Sequence, residues 1–169
     1  MLNRLQAAPS SQLLGIPDGP EGVRVTLEVM RQLAKAGRIN PEIRATATGI
    51  VSGLGQQDFA GEVNRLFQFV RDQIRYIQDP NDVERVTAPE ITLADGSGDC
   101  DDKAILLASL LEAIGHPARF VAVAFSPDNF EHVYVETKIG SRWVALETTE
   151  PVQMGWEPPG IVGKMLRHI

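Results

Sequence analysis

This sequence has one cysteine, no long apolar run and no block of like charge. Of its 169 residues only Cys100 is a cysteine. A lone thiol excludes an internal disulfide and a cysteine-rich zinc site, and is compatible with a reducing compartment. No apolar stretch approaches the roughly 18 residues of a membrane span, and the opening MLNRLQAAPSSQLLG lacks the apolar centre of a signal peptide. A cytoplasmic protein without a membrane partner is therefore expected. The 16 Lys and Arg against 22 Asp and Glu give a net charge of −6 spread without long runs, so nothing tracks a phosphate backbone. Nucleic acid is not an expected partner. What is present, 43% hydrophobic residues over this length, suits one globular domain.

The chain is organised around Gly96 to Gly115, GSGDCDDKAILLASLLEAIG. Ala104, Leu107, Ala108, Leu111 and Ile114 recur at the spacing of one helical face. Asp99 is an N-cap residue type and Gly115 a C-terminal stop. Cys100 thus falls in or beside the first turn, where unpaired N–H groups and the helix dipole ease ionisation of a thiol. Asp99, Asp101 and Asp102 argue against a packed interior there and oppose the dipole, so a nucleophilic Cys100 requires a cationic partner, most naturally a histidine. The spacing of Asp95, Ser97 and Asp99 matches the start of a calcium loop, but Cys100 and Leu106 occupy the positions of its required glycine and glutamate. No metal is expected. Asp99 is read as the cap, with Asp101 and Asp102 complementing the dipole or pairing with cations of the preceding loop. Lys103 reads as a solvated residue, and His116 as facing solvent or the helix C-terminus.

Residues 1–22, with Pro9, Pro17 and Pro20, read as an irregular arm. A helix is predicted over Val23 to Ala36 and another from Pro41. Phe59, Val63, Leu66, Phe67, Val70, Ile74 and Ile77 predict an amphipathic helix of about five turns from Asp58. Tyr76 to Asp95 reads as an irregular connection of roughly 20 residues, one wall of a groove leading to Cys100. Strands are predicted over Ala118 to Phe125, His132 to Ile139 and Trp143 to Glu147. A two-residue turn at Gly140-Ser141 pairs Ile139 with Arg142 and Tyr134 with Glu147. His132 and Glu147 then share a face on a diagonal of about 7 to 8 Å, close enough for a carboxylate to orient an imidazole. An odd-length turn would separate them. Trp143 shares that face and either covers the site or packs in the sheet. Residues 151–169 read as an extended tail that packs on the body or a partner, with a short helical turn from Val162 to Ile169. The domain reading is an arm at 1–22, one domain at 23–150 with its core at 58–150, and the tail.

Cysteine, histidine and acid, in that order on helix, strand and strand, meet the requirements of thiol-based acyl transfer. The segments GDCDDKAILLASLLEAIGHPARFV, EHVYVE and WVALETT resemble the transglutaminase-like superfamily of cysteine proteases and acyltransferases. The resemblance implies a papain-like α+β fold, with a nucleophile helix packed on an antiparallel β-sheet and additional N-terminal helices. It implies Cys100 as nucleophile, His132 as base and Glu147 as orienting acid, without a cofactor. Where the family usually has Asp, Leu146-Glu147-Thr148 supplies a side chain one methylene longer. A side-chain oxyanion donor comes from upstream in such folds, and Gln73, Tyr76 and Gln78 are available. The implied function is a cysteine-dependent hydrolase or acyltransferase acting on protein or peptide amides through a thioester. The alternative is a catalytically inactive binding or structural module. Short stand-alone forms of this kind look similar to proteins of tailed-phage and prophage gene sets, which adds virion association as an alternative location. The oligomeric state is left open.

Overall fold

Prolines stand at the start of three helices. The computed structural model describes residues 12–13, 19–78 and 85–169. Its elements are β1 (Gln12–Leu13), α1 (Gly19–Gly37), α2 (Pro41–Val51), α3 (Phe59–Gln73), β2 (Arg75–Tyr76), β3 (Arg85–Val86), α4 (Pro89–Asp95), β4 (Ser97–Gly98), α5 (Cys100–Ala113), β5 (Ala118–Ser126), β6 (Asn129–Ile139), β7 (Arg142–Leu146) and β8 (Gly163–His168). Proline lacks an N–H that the first turn would leave unbonded, and its fixed φ suits that position. Pro41 is expected in this role, whereas Pro20 lies in the stretch expected to be an irregular arm and Pro89 in the connection expected to be irregular. Accordingly α1 begins at Gly19, ahead of the expected Val23, and the connection expected to be irregular contains α4. Residues 1–11, 14–18 and 79–84 lie outside the described residues.

The centre of the molecule is α5. Asp102 to Leu111 are all buried, so the helix is enclosed on every side, where sequence spacing predicted a single core face. It packs against α1, α2, α3 and α4 and against β5 and β6. Met30, Ile43, Val63, Leu66, Phe67, Val70, Leu107, Phe120, Val135 and Leu146 belong to one buried cluster. The stripe predicted on α3 is core at Val63, Leu66, Phe67, Val70 and Ile74, whereas Phe59 and Ile77 at its ends are exposed. Helix α3 stops at Gln73 because Arg75 and Tyr76 leave it to pair, in parallel, with Ser97 and Gly98.

The approach of α1 to α5 depends on Gly37. A Cβ there would lie 2.5 Å from Ser109 Oγ and 2.6 Å from Pro89 Cγ. Gly37→Ala is expected to destabilise the protein by about 1–3 kcal/mol through overpacking, read as a lower urea midpoint with an unchanged slope.

The main sheet has the order β7-β6-β5-β8, antiparallel throughout. Ile139 pairs with Arg142 and Val135 with Leu146, the register counted from the turn. Alternation along β5 sends Phe120 and Ala122 to the main core, while Val121 and Val123 join Tyr134 and Ala145 in a second cluster against Ile161. The helical turn expected over Val162 to Ile169 is not formed. That segment contains β8, hydrogen-bonded to the open edge of β5, with Met165 against the main core. A central strand requires partners on both edges, and the tail supplies the second one.

Candidate active site

Asp99 caps α5, its side chain accepting a hydrogen bond from Asp102 N–H at 3.1 Å. Asp102 turns away from solvent and accepts from Thr87 N–H at 2.8 Å, which ties the chain after residue 84 to the first turn of α5. Gly98 permits this: a Cβ there would stand 2.6 Å from the Asp102 Cβ.

Cys100 is half-buried at the start of this turn. Its thiol lies 3.7 Å from Asp101 Oδ1, and the backbone N–H of Val133 hydrogen-bonds the sulfur. Burial, followed by the charges of Asp101 and Asp99, pushes the thiol well above its ordinary value, and the Val133 N–H only partly offsets them. The helix start and its Asp99 cap are in place, and desolvation and two carboxylates act against ionisation there, as the acidic neighbours led one to expect.

His132 and Glu147 meet. Nε2 of the ring is 2.5 Å from Glu147 Oε2, with the histidine side chain 17% exposed and the carboxylate fully buried. The other oxygen, Oε1, accepts from the backbone N–H and the hydroxyl of Thr149, each at 2.7 Å. Burial raises the Glu147 carboxyl, but His132 and Thr149 together hold it below its ordinary value. The longer side chain therefore reaches the imidazole from just beyond β7. Thr149 was missed in the sequence; an acid followed two residues later by threonine is a local side-chain-to-backbone pattern that points to it.

Val133 immediately follows His132, so its hydrogen bond to the Cys100 sulfur draws the start of α5 to the part of β6 that bears the histidine. Of the upstream trio, Tyr76 is 46% exposed. Partial burial, then Cys100, Asp99, Asp101 and Glu147, raise its phenol. Its Cα pairs with Gly98.

His116 and Lys103 fall differently from expectation, and Trp143 takes one of its two expected places. His116 is buried, bonded to Glu62 at 2.7 Å and edge-on to Phe59, because the turn after α5 folds onto α3. Trp143 packs on the sheet, with the Arg119 guanidinium 4.2 Å from its ring and His168 edge-on. Lys103 is not solvated but 1% exposed. Among the described residues no group of three His, Cys, Asp or Glu side chains could hold a metal ion, and no helix is long and apolar enough to cross a membrane.

The family model described as the transglutaminase-like superfamily matches residues 44–148, more than half of the chain. The chain belongs to the transglutaminase-like superfamily. Its helices and antiparallel sheet form the α+β, papain-like arrangement of that superfamily. Among solved structures it is similar to LapG of Legionella pneumophila in its calcium-bound form, with 21% identity over 80% of each chain and a TM-score of 0.56. It is similar to a candidate protease of Parabacteroides distasonis, with 16% identity, a TM-score of 0.63 and coverage of 83% of this chain but 31% of the other. A candidate cysteine protease of Cytophaga hutchinsonii shares 19% identity at a TM-score of 0.51, over 75% of this chain and 46% of the other. The chain thus spans less than half the length of those two proteins. No curated protein matches it.

Proposed function

We propose that this protein is a cysteine-dependent hydrolase or acyltransferase that opens protein or peptide amide bonds through a thioester on Cys100. The reading rests on the 2.5 Å bond between His132 and Glu147, on a strand whose next residue hydrogen-bonds the Cys100 sulfur. A carboxylate at Nε2 keeps the proton of the neutral ring there and leaves the Nδ1 lone pair as the base. In this mechanism the Cys100 proton passes to Nδ1 as sulfur attacks the carbonyl carbon. The oxyanion is met by the Cys100 N–H at the helix start and by the Tyr76 hydroxyl. The C–N bond then breaks, the imidazolium protonates the departing amine, and the thioester remains. Water or a second amine attacks it, His132 takes the incoming proton, and the thiol leaves protonated. Burial and the neighbouring carboxylates disfavour a free thiolate, so in this mechanism proton transfer to His132 accompanies attack.

A small activated ester such as p-nitrophenyl acetate tests this without knowledge of the natural substrate. An acetyl group on Cys100 in the intact mass, followed by many turnovers and diverted by an added primary amine, is the expected result. One equivalent of product at the rate of free cysteine would overturn it. The upward shift of the thiol favours a second reading, a binding or structural module without catalysis, and the single-equivalent outcome would support that one.

A further inference from the structure

The most unusual group outside the triad is Lys103, one helical turn after Cys100. Its ammonium donates to Ile74 O at 2.6 Å and Arg71 O at 3.4 Å, two carbonyls at the C-terminal end of α3. Such carbonyls lack helical partners, and a cation suits that end of the dipole. Among the described residues no carboxylate forms an ion pair with Lys103; Glu147 and Asp72 act on it from farther away. Burial is the larger influence and pulls Lys103 from its ordinary 10.5 down to about 8. Holding a charge there is costly, and an apolar side chain of similar volume would fill the space without that cost. Packing alone therefore does not account for a lysine.

Its connections lead to the site. Ile74 is followed by β2, where the backbone N–H groups of Arg75 and of Ile77 just beyond the strand donate to Gly96 O and Gly98 O, and Gly98 stands two residues before Cys100. Arg71, whose carbonyl Lys103 holds, donates through Nη1 to Val152 O at 2.6 Å on the segment after Glu147.

We propose that Lys103 is a positioning residue of the site, whose buried ammonium fastens the end of α3 and the Tyr76 strand against the first turn of α5 and supplies a cation acting on Glu147. This rests on the Cys100–His132–Glu147 reading above for its function, but not for its electrostatics, and two measurements separate them. The charged groups that act on Lys103 are Glu147 beyond β7 and Asp72 on α3. In the full chain with labelled lysine, NMR follows the Lys103 Cε and Nζ signals with pH, in the natural sequence and in Glu147→Gln. A midpoint near 8 that falls in Glu147→Gln is expected, and a midpoint unmoved by that change overturns the proposal. In parallel, Lys103→Met, checked for its thermal transition, should alkylate at Cys100 about tenfold more slowly than the natural protein, the cost of a slightly misplaced site. A folded Lys103→Met within twofold of the natural rate overturns the positioning role. If that variant fails to fold, the titration in Glu147→Gln alone decides. Should His132→Ala alkylate normally while the Lys103 midpoint still follows Glu147, the catalytic reading has failed and the electrostatic link stands.

Discussion

Alkylation of Cys100 by iodoacetamide at pH 7 is expected to fall by about 10²-fold or more when His132 is replaced by alanine, the contribution typical of a positioned base. Burial and then Asp101 and Asp99 disfavour the thiolate, so without the imidazole almost none forms near neutrality. The pH dependence follows from the same shift. A thiol raised above its ordinary 9.0 continues to gain reactivity past that pH in His132→Ala, and Asp101→Asn lowers the midpoint by removing one of the raising charges. A low absolute midpoint is therefore not the test of the proposed mechanism; dependence on His132 is. Equal alkylation rates in the natural protein and His132→Ala, compared across pH 6 to 10 by intact mass, would remove the histidine from the mechanism. There is a stability consequence as well. A thiol raised in the folded state favours the fold below its unfolded value, and that contribution is lost as pH rises above it. Cys100→Ala should consequently flatten the alkaline limb of the stability profile.

Glu147→Gln is expected to reduce turnover of an acyl donor by about 10³–10⁴-fold with little change in the fold, as when an orienting carboxylate becomes an amide. Glutamine can still accept the two hydrogen bonds from Thr149 through its carbonyl oxygen. It then presents an NH2 to His132 Nε2, which forces the ring proton onto Nδ1 and removes the lone pair needed there. The pH sign is fixed by the direction of the shift. The Glu147 carboxyl is held below its ordinary 4.5, so its contribution to stability is full above that pH and is lost as pH falls through the folded value. Glu147→Gln should lack this acid-side loss, which urea midpoints between pH 3 and 6 would reveal. A variant turning over at the natural rate would leave Glu147 a structural acid.

The pairing of His132 with Glu147 was legible because strand geometry has only two faces. Once Gly140-Ser141 was identified as an even-length turn, the faces of the residues on either side followed by parity, and the observed Val135–Leu146 pairing has that register. Asp99 was legible as a cap for a similar reason, since a short acceptor one residue before a helical pattern has one common use. The prolines were ambiguous because the same ring that breaks a helix interior is favoured in a first turn. Which applies depends on whether the residues that follow find a surface to pack on, and α4 finds it on α5. Strand β8 was illegible from its own composition: KMLRH buries only part of one face, and it is a strand because β5 had an open edge beside it.

By itself the sequence determined the superfamily, the α+β class, the Cys100 helix with its cap, and the parity that puts the histidine and the acid on one face. These depend on short-range spacing, which the covalent chain carries with it. Only the tertiary structure decided the energetic state of the site: a thiol raised by burial, a Glu147 carboxyl held down by His132 and Thr149, and a lysine enclosed at the end of α3. Desolvation and charge proximity depend on which distant segments close over a group, and no spacing along the chain encodes that.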